Sequence, residues 1–207
     1  MEYLREDLPK LINSMNEGVD RIRNISTSLR TFSRADSDRP VPFNIHDGID
    51  STLLILKHRL KASERRPAIE VVKEYGNLPL VKCFPGQLNQ VFMNMLANAI
   101  DALEDSNKRR SFKEIKNFPN CITIQTVQDK ESERVVITIK DNGGGMSDEV
   151  KQKIFYHLFT TKPVGEGTGL GLSIARQIVL EKHGGALEVN SSLGYGSELI
   201  ISIPLKG

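Results

Sequence analysis

The chain has 207 residues, of which 39% are hydrophobic and 26% charged, and its formal net charge is +2. That length allows one good domain plus an appendage, and the composition excludes a disordered chain. The charge is too small to argue for nucleic acid or an anionic membrane surface. Cys83 and Cys121 stand far apart and form no CxxC, which suggests a reducing compartment and no zinc site. The first thirty residues lack the apolar core of a signal peptide, and no run approaches a membrane span. The expectation is a cytoplasmic piece without membrane contact of its own, whose parent chain is free to be membrane-anchored.

In chain order, apolar residues from Leu4 through Leu11, Val19 and Ile25 to Phe32 step by fours and threes. A narrow seam of that kind marks a helix packed on partner helices. A surface helix folded back on the domain is the other reading, but its apolar face would be wider. Residues 1–33 are therefore assigned to a helix that self-associates, and polar, proline-containing 34–44 to a linker. A helix is predicted over 46–60, with strands near 68–74 and 79–84. A second helix covers 86–105 and a polar loop runs to Asn120. CITIQTVQ (121–128) and RVVITIKD (134–141) alternate as a hairpin. A short helix follows over 147–156, then a glycine-rich stretch and an amphipathic helix over 170–183. GALEVNSS and SELIISIPL close the chain as a second hairpin. The fold class is α+β over 45–207, with helices on one face of a mainly antiparallel sheet.

Three features carry chemistry. The helix VFMNMLANAIDAL (91–103) is apolar almost all round, yet Asn94, Asn98 and Asp101 share one face, extended by Gln87 and Gln90. A solvated face would carry Lys and Glu, so the amides form either a satisfied buried seam or an edge facing a ligand. DNGGGM (141–146) places a carboxylate where a strand ends. Asp141 suits the exocyclic amine of adenine and disfavours guanine, while a plain turn is the alternative. In KPVGEGTGLGLSIARQIV (162–179), Gly165, Gly167, Gly169 and Gly171 run into a helix start, an arrangement suited to a triphosphate, with Lys162 as a full charge at the entrance. The spacing is neither GxGxxG nor a Walker P-loop. Amide oxygens are hard donors suited to Mg²⁺ shared with phosphate.

In order, NMLANAIDA, DNGGGM, FYHLFTTK and GEGTGLGL, followed by GYGS, resemble the N box, first glycine box, F box and second glycine box of sensor histidine kinases. These belong to the superfamily of gyrase, the ninety-kilodalton chaperone and the mismatch-repair ATPases. The resemblance covers roughly 45–207. It implies the two-layer α/β sandwich called the Bergerat fold, with ATP and Mg²⁺ as cofactors. Asn98 would coordinate Mg²⁺ with Asn94 assisting. Asp141 would bind the adenine amine, with Gly143 and Gly145 shaping that wall and Ser197 supporting it. Lys162 and Gly165, Gly167, Gly169 and Gly171 would contact phosphates. Asp101, Met146, Thr168 and Leu170 complete the nucleotide-binding set, and Asn94 and Lys162 are the residues implied in catalysis. Residues 146–168 would form the ATP lid, with Phe155 and Phe159 packing its hinge.

The segment 1–33, ending SLRTFSR, resembles the second helix of a dimerisation hairpin. The implied partners are a homodimeric copy, a histidine-bearing dimerisation helix and a response-regulator receiver domain. His157 stands where the F box usually has proline. The phosphate-accepting histidine is expected upstream of Met1, because His46, His58, His157 and His183 all lack the required setting. His183 sits at a helix end, where a cation suits the dipole. Gyrase-type ATPases place a glutamate four residues before the metal-binding asparagine to activate water. Here that position is Asn94, which cannot act as a base. A ketoacid-dehydrogenase-type kinase and a scaffold module are the remaining alternatives.

Overall fold

The structure is a computed structural model that describes residues 39–162 and 167–205, with Met15 alone before them. Apart from Met15, the expected dimerisation seam lies outside the described residues, as do 34–38 of the linker and Gly165. The elements are β1 (Val41–Phe43), α1 (Ile45–Ile55), α2 (Lys57–Leu60), β2 (Glu70–Tyr75), β3 (Val81–Cys83), α3 (Pro85–Asn107) and α4 (Phe112–Asn117). There follow β4 (Cys121–Asp129), β5 (Arg134–Asp141), α5 (Asp148–Lys153), α6 (Gly171–Gln177), β6 (Ala186–Ser192) and β7 (Gly196–Pro204).

Five strands form one sheet in the order β2-β4-β5-β7-β6. Only the β2–β4 pair is parallel; its long connection through β3, α3 and α4 allows a crossover that no hairpin could make. The other three pairs are antiparallel, and the expected α+β class with two layers is the observed one. Alternation sets the layers. In β5, Val135, Ile137 and Ile139 are buried while Val136 and Thr138 are half-exposed and Lys140 is exposed. In β4, Ile122 and Ile124 face the same way, opposite Asp141 and Ile139. Such a period of two leaves one sheet face to water and packs the other on helices.

The covering layer is built on α3, whose Leu88, Val91, Phe92, Met95, Leu96, Ile100 and Leu103 are fully or almost fully buried. Pro85 occupies its first turn, where the missing N–H removes no helical bond. A second, two-stranded sheet pairs β1 with β3, Val41 opposite Cys83. Thus the end of the segment read as linker is a strand, stabilised by a partner 40 residues on that local reading could not see.

Three further differences have local causes. The helix expected over 46–60 breaks at Leu56, where ψ flattens to −1°. The segment read as loop contains α4, whose start is a capping box: Glu114 N–H donates to Ser111 Oγ, and Ser111 N–H donates to the Glu114 carboxylate. The helix expected to 183 is α-helical to Gln177 and then opens into a π turn over Ile178–Lys182.

That wide turn leaves Ile178 O facing His183 Nδ1 at 3.0 Å. Phe84 N–H donates to His183 Nε2 at 3.2 Å, so Nε2 carries no proton and Nδ1–H donates to Ile178 O. His183 is a neutral structural pin, which corrects its reading as a cation serving the helix dipole.

Candidate functional site

Asp141 follows Val135, Ile137 and Ile139 in the inward row of β5, so the pleat carries its carboxylate under the helical layer. Ser197 lies opposite it on β7. Gly143 N–H donates to Asp141 Oδ1 at 2.9 Å. Burial pushes the Asp141 pKa up to about 6, against the lowering effect of backbone hydrogen bonds from Gly143 and Ser197. Ser191 braces this wall: its hydroxyl accepts from Met146 N–H at 2.8 Å, donates to Gly196 O at 2.9 Å, and lies 3.1 Å from Ser197 Oγ. Sequence reasoning missed Ser191, although pairing the last hairpin places it opposite Ser197.

The asparagine line divides in space. Asn94, Asn98 and Asp101 line a cavity of about 630 Å³ that Asp141 and Ser197 also line. Gln90 points to solvent, and neither it nor Gln87 reaches the cavity. Asn94 Nδ2 is buried without a hydrogen-bond partner. A buried donor left so costs about 1–3 kcal/mol, which a ligand would relieve. The opening turn of α6 abuts Asn94: a Cβ on Gly171 would lie 3.4 Å from Asn94 Oδ1.

Gly145, Met146, Lys162, Gly167, Thr168, Gly169 and Gly171 also line the cavity. Gly143 and Leu170 do not. Gly143 acts through its bond to Asp141, and Leu170 caps α6, with its N–H on Thr168 Oγ1 at 3.4 Å. Phe159 lines the cavity, and with Phe155 it packs on the core beneath the expected lid. Asp105, Ser106 and Arg109, which the sequence did not single out, also line the cavity.

Two glycines are fixed by close approach as well as by φ. At Gly145, φ is +67° and a Cβ would fall 2.0 Å from Ser192 O. At Gly169, φ is +65° and a Cβ would fall 2.4 Å from the Leu158 carbonyl carbon. Gly145→Ala is expected to destabilise the fold by at least about 2 kcal/mol, read as a melting point roughly 5 °C lower. An unchanged melting curve would show that this wall gives way freely.

The cations are arranged as a chain. Lys162 Nζ is ion-paired with Asp101 Oδ2. Asp101 Oδ1 meets Arg59 Nη2 at 2.6 Å, and the same nitrogen reaches Glu104 Oε2 at 2.6 Å. Glu104 Oε1 lies 3.3 Å from Arg66 Nη2. Burial opposes the Arg59 charge, but the hydrogen bonds and attraction from Asp101 and Glu104 outweigh it and raise its pKa. No pattern in the sequence links Arg59 to Asp101, which lie 42 residues apart.

Of the histidines, His46 stacks on Tyr75 with ring centroids 4.2 Å apart and contacts Thr126 Oγ1 at 2.9 Å. None of the four lines the cavity.

Residues 84–207 match the family described as histidine kinase-, DNA gyrase B-, and HSP90-like ATPase. The chain belongs to this ATPase family. Over 205 residues it is 31% identical to the two-component sensor PprA of Pseudomonas aeruginosa, covering 99% of this chain and 20% of that protein. It is 31% identical to the sensor kinase CckA of Brucella abortus (95% and 20%) and 30% identical to the sensor histidine kinase ZraS of Salmonella typhi (95% and 38%). Against these relatives the chain spans between a fifth and two fifths of their length. Among solved structures it is similar to the nucleotide-free catalytic domain of the histidine kinase ThkA, at 27% identity and a TM-score of 0.64, covering 81% of this chain and 96% of that one. The ATPase domain thus has the catalytic-domain fold of a sensor histidine kinase. Among its described residues, no helix is long and apolar enough to cross a membrane.

Proposed function

We propose that this chain binds Mg-ATP in the cavity between α3 and the sheet and transfers the γ-phosphoryl group to a histidine on a dimerisation helix. A response-regulator aspartate then receives the phosphate. The observation that carries this reading is convergence: the Asn94 and Asn98 amides, the Asp141 carboxylate and the glycine-rich turn before α6 all border one cavity of about 630 Å³, a size suited to a nucleotide. The names of the relatives, all two-component sensors or sensor kinases, support the choice among ATPase chemistries.

The donors fit magnesium. The Asn94 and Asn98 side chains border the cavity and carry the amide oxygens such a cation takes, while the unpartnered Asn94 Nδ2 can donate to a phosphate oxygen. When bound, the metal would neutralise phosphate oxygens. The remaining work falls to the chain. Asp141 accepts from the adenine amine and rejects the guanine carbonyl. Gly143 and Ser197 hold that carboxylate in place. The N–H groups opening α6 and the Lys162 ammonium offset charge on the phosphates, and catalysis is mostly positioning. Asn94 cannot deprotonate water, so the cavity protects ATP for transfer where a gyrase-type site would hydrolyse it. The setting is the cytoplasm, and the seam of 1–33 pairs two copies.

Titrating the 207-residue chain with ATP, with and without magnesium, is expected to give metal-dependent binding. Radiolabelled ATP should leave the chain almost unlabelled and should give acid-labile label on a histidine-bearing hairpin supplied with it. No binding at millimolar ATP, or strong label on the chain alone, would overturn the proposal.

A further inference from the structure

Resting on that nucleotide reading, we propose that Asp101 is the holder of Lys162 rather than a nucleotide contact, and that Arg59, outside the cavity, is a positioning residue governing how firmly Asp101 holds it. Both Asp101 oxygens are already committed: Oδ2 to the Lys162 ammonium and Oδ1 to Arg59 Nη2 at 2.6 Å. A carboxylate gripped from two sides by cations has little left to offer a ribose hydroxyl or a metal.

Lys162 is fixed from the lid side as well. A Cβ on Gly167 would lie 3.1 Å from both Cβ and Cδ of Lys162, so the returning backbone lies directly on its stem. Lys162 N–H donates to Thr160 Oγ1 at 3.1 Å. The lysine is therefore seated at the cavity wall by α3 and by the lid together.

Charge gives the direction. Lys162, Asp101, Arg59, Glu104 and Arg66 form a chain of three cations and two anions. It leaves one net positive charge beside a site that takes polyphosphate. Arg59 shares the negative charge of Asp101, which loosens the hold on Lys162. Without Arg59, Lys162 is the one ion-pair partner left to Asp101 among the described residues, and the hold on the lysine tightens. Arg66 is buried and also donates to the carbonyls of Lys61 and Pro67 at 3.0 and 3.1 Å. It anchors the segment after α2 and keeps Glu104 paired when Arg59 is removed. The Lys162, Asp101 and Arg59 side chains are 28%, 23% and 26% exposed, so screening by water is partial and the coupling should be measurable.

The test is a double-substitution cycle read by calorimetry with ATP and with adenosine, each protein first checked by melting. Asp101→Asn is expected to tighten ATP by about threefold to tenfold, and Arg59→Ala to weaken it by a similar factor. Adenosine affinity should stay unchanged in both. Arg59→Lys should recover part of the loss. In the Asp101→Asn background, Arg59→Ala should shift ATP by less than about twofold.

Should Arg59→Ala fail to fold, Lys162→Ala carries the same question, since Asp101→Asn should then lose its tightening effect. Weaker ATP binding by Asp101→Asn, equal shifts for adenosine and ATP, or an Arg59 effect undiminished without the Asp101 charge would each overturn the inference. An unsubstituted chain that binds no ATP would instead overturn the nucleotide reading beneath it.

Discussion

Asp141→Asn is expected to cut ATP affinity by about tenfold to a hundredfold, the worth of a hydrogen bond to a charged acceptor, and at the same time to raise the melting point of the nucleotide-free protein. The two effects share a cause. Unfolded, the carboxyl titrates at its ordinary 3.8; folded, burial lifts it to about 6. Ionisation therefore opposes folding. The group's contribution is most favourable below pH 3.8 and is lost as pH rises through 6, a span of roughly 3 kcal/mol at most.

Asparagine keeps an oxygen for Gly143 N–H without that burden, although its own NH₂ needs a partner. A net gain of about 1–2 kcal/mol, or roughly 3–6 °C, is the outcome to look for by calorimetric melting. In the unsubstituted protein, ATP affinity should fall about tenfold per unit below pH 6, because only the carboxylate accepts from the amine. A variant that binds ATP normally would remove Asp141 from the site.

Asn98→Ala is expected to abolish the magnesium-dependent part of ATP binding and to lower phosphoryl transfer to a histidine-bearing hairpin by about a hundredfold or more. The fold should survive. Asn98 is half-buried against the cavity, and alanine is the better helix former by about 0.5–0.7 kcal/mol. The melting point should accordingly hold or rise slightly, which separates lost chemistry from lost structure. Transfer at the unsubstituted rate would show that this amide holds nothing.

What could be read in advance followed from local pattern. The alternation of β4 and β5 and the four motif blocks lie within short windows, where periodicity and residue type suffice. The inward placement of Asp141 was implicit in RVVITIKD, because a strict period of two carries the buried row to the eighth residue. The fold class and its mainly antiparallel sheet were legible for the same reason. The capping box at Ser111 and Glu114 was also present in the sequence, but α4 is only six residues long and its surroundings are polar.

Other features depend on partners distant in sequence. β1 is a strand only because β3 lies beside it. The asparagine line could not reveal that Gln87 and Gln90 would stay outside the cavity that Asn94 and Asn98 border. Asp101 looked like another member of that line until Arg59 and Lys162 met on its two oxygens. Ion pairs between separate elements leave no periodic trace, and a lysine reads the same whether it waits for phosphate or is already engaged.

The inward row of β5 ends on a charge where three aliphatic residues have prepared a dry floor. An adenine ring lying on Ile139 against Asp141 would extend the hydrophobic interior by one more layer, supplied from solution. Occupancy and folding stability would then be thermodynamically linked, each tenfold excess of nucleotide over its dissociation constant adding about 1.4 kcal/mol to the unfolding free energy. With ATP bound as proposed, the chain's working stability in an ATP-rich cell would be in part a property of the nucleotide pool.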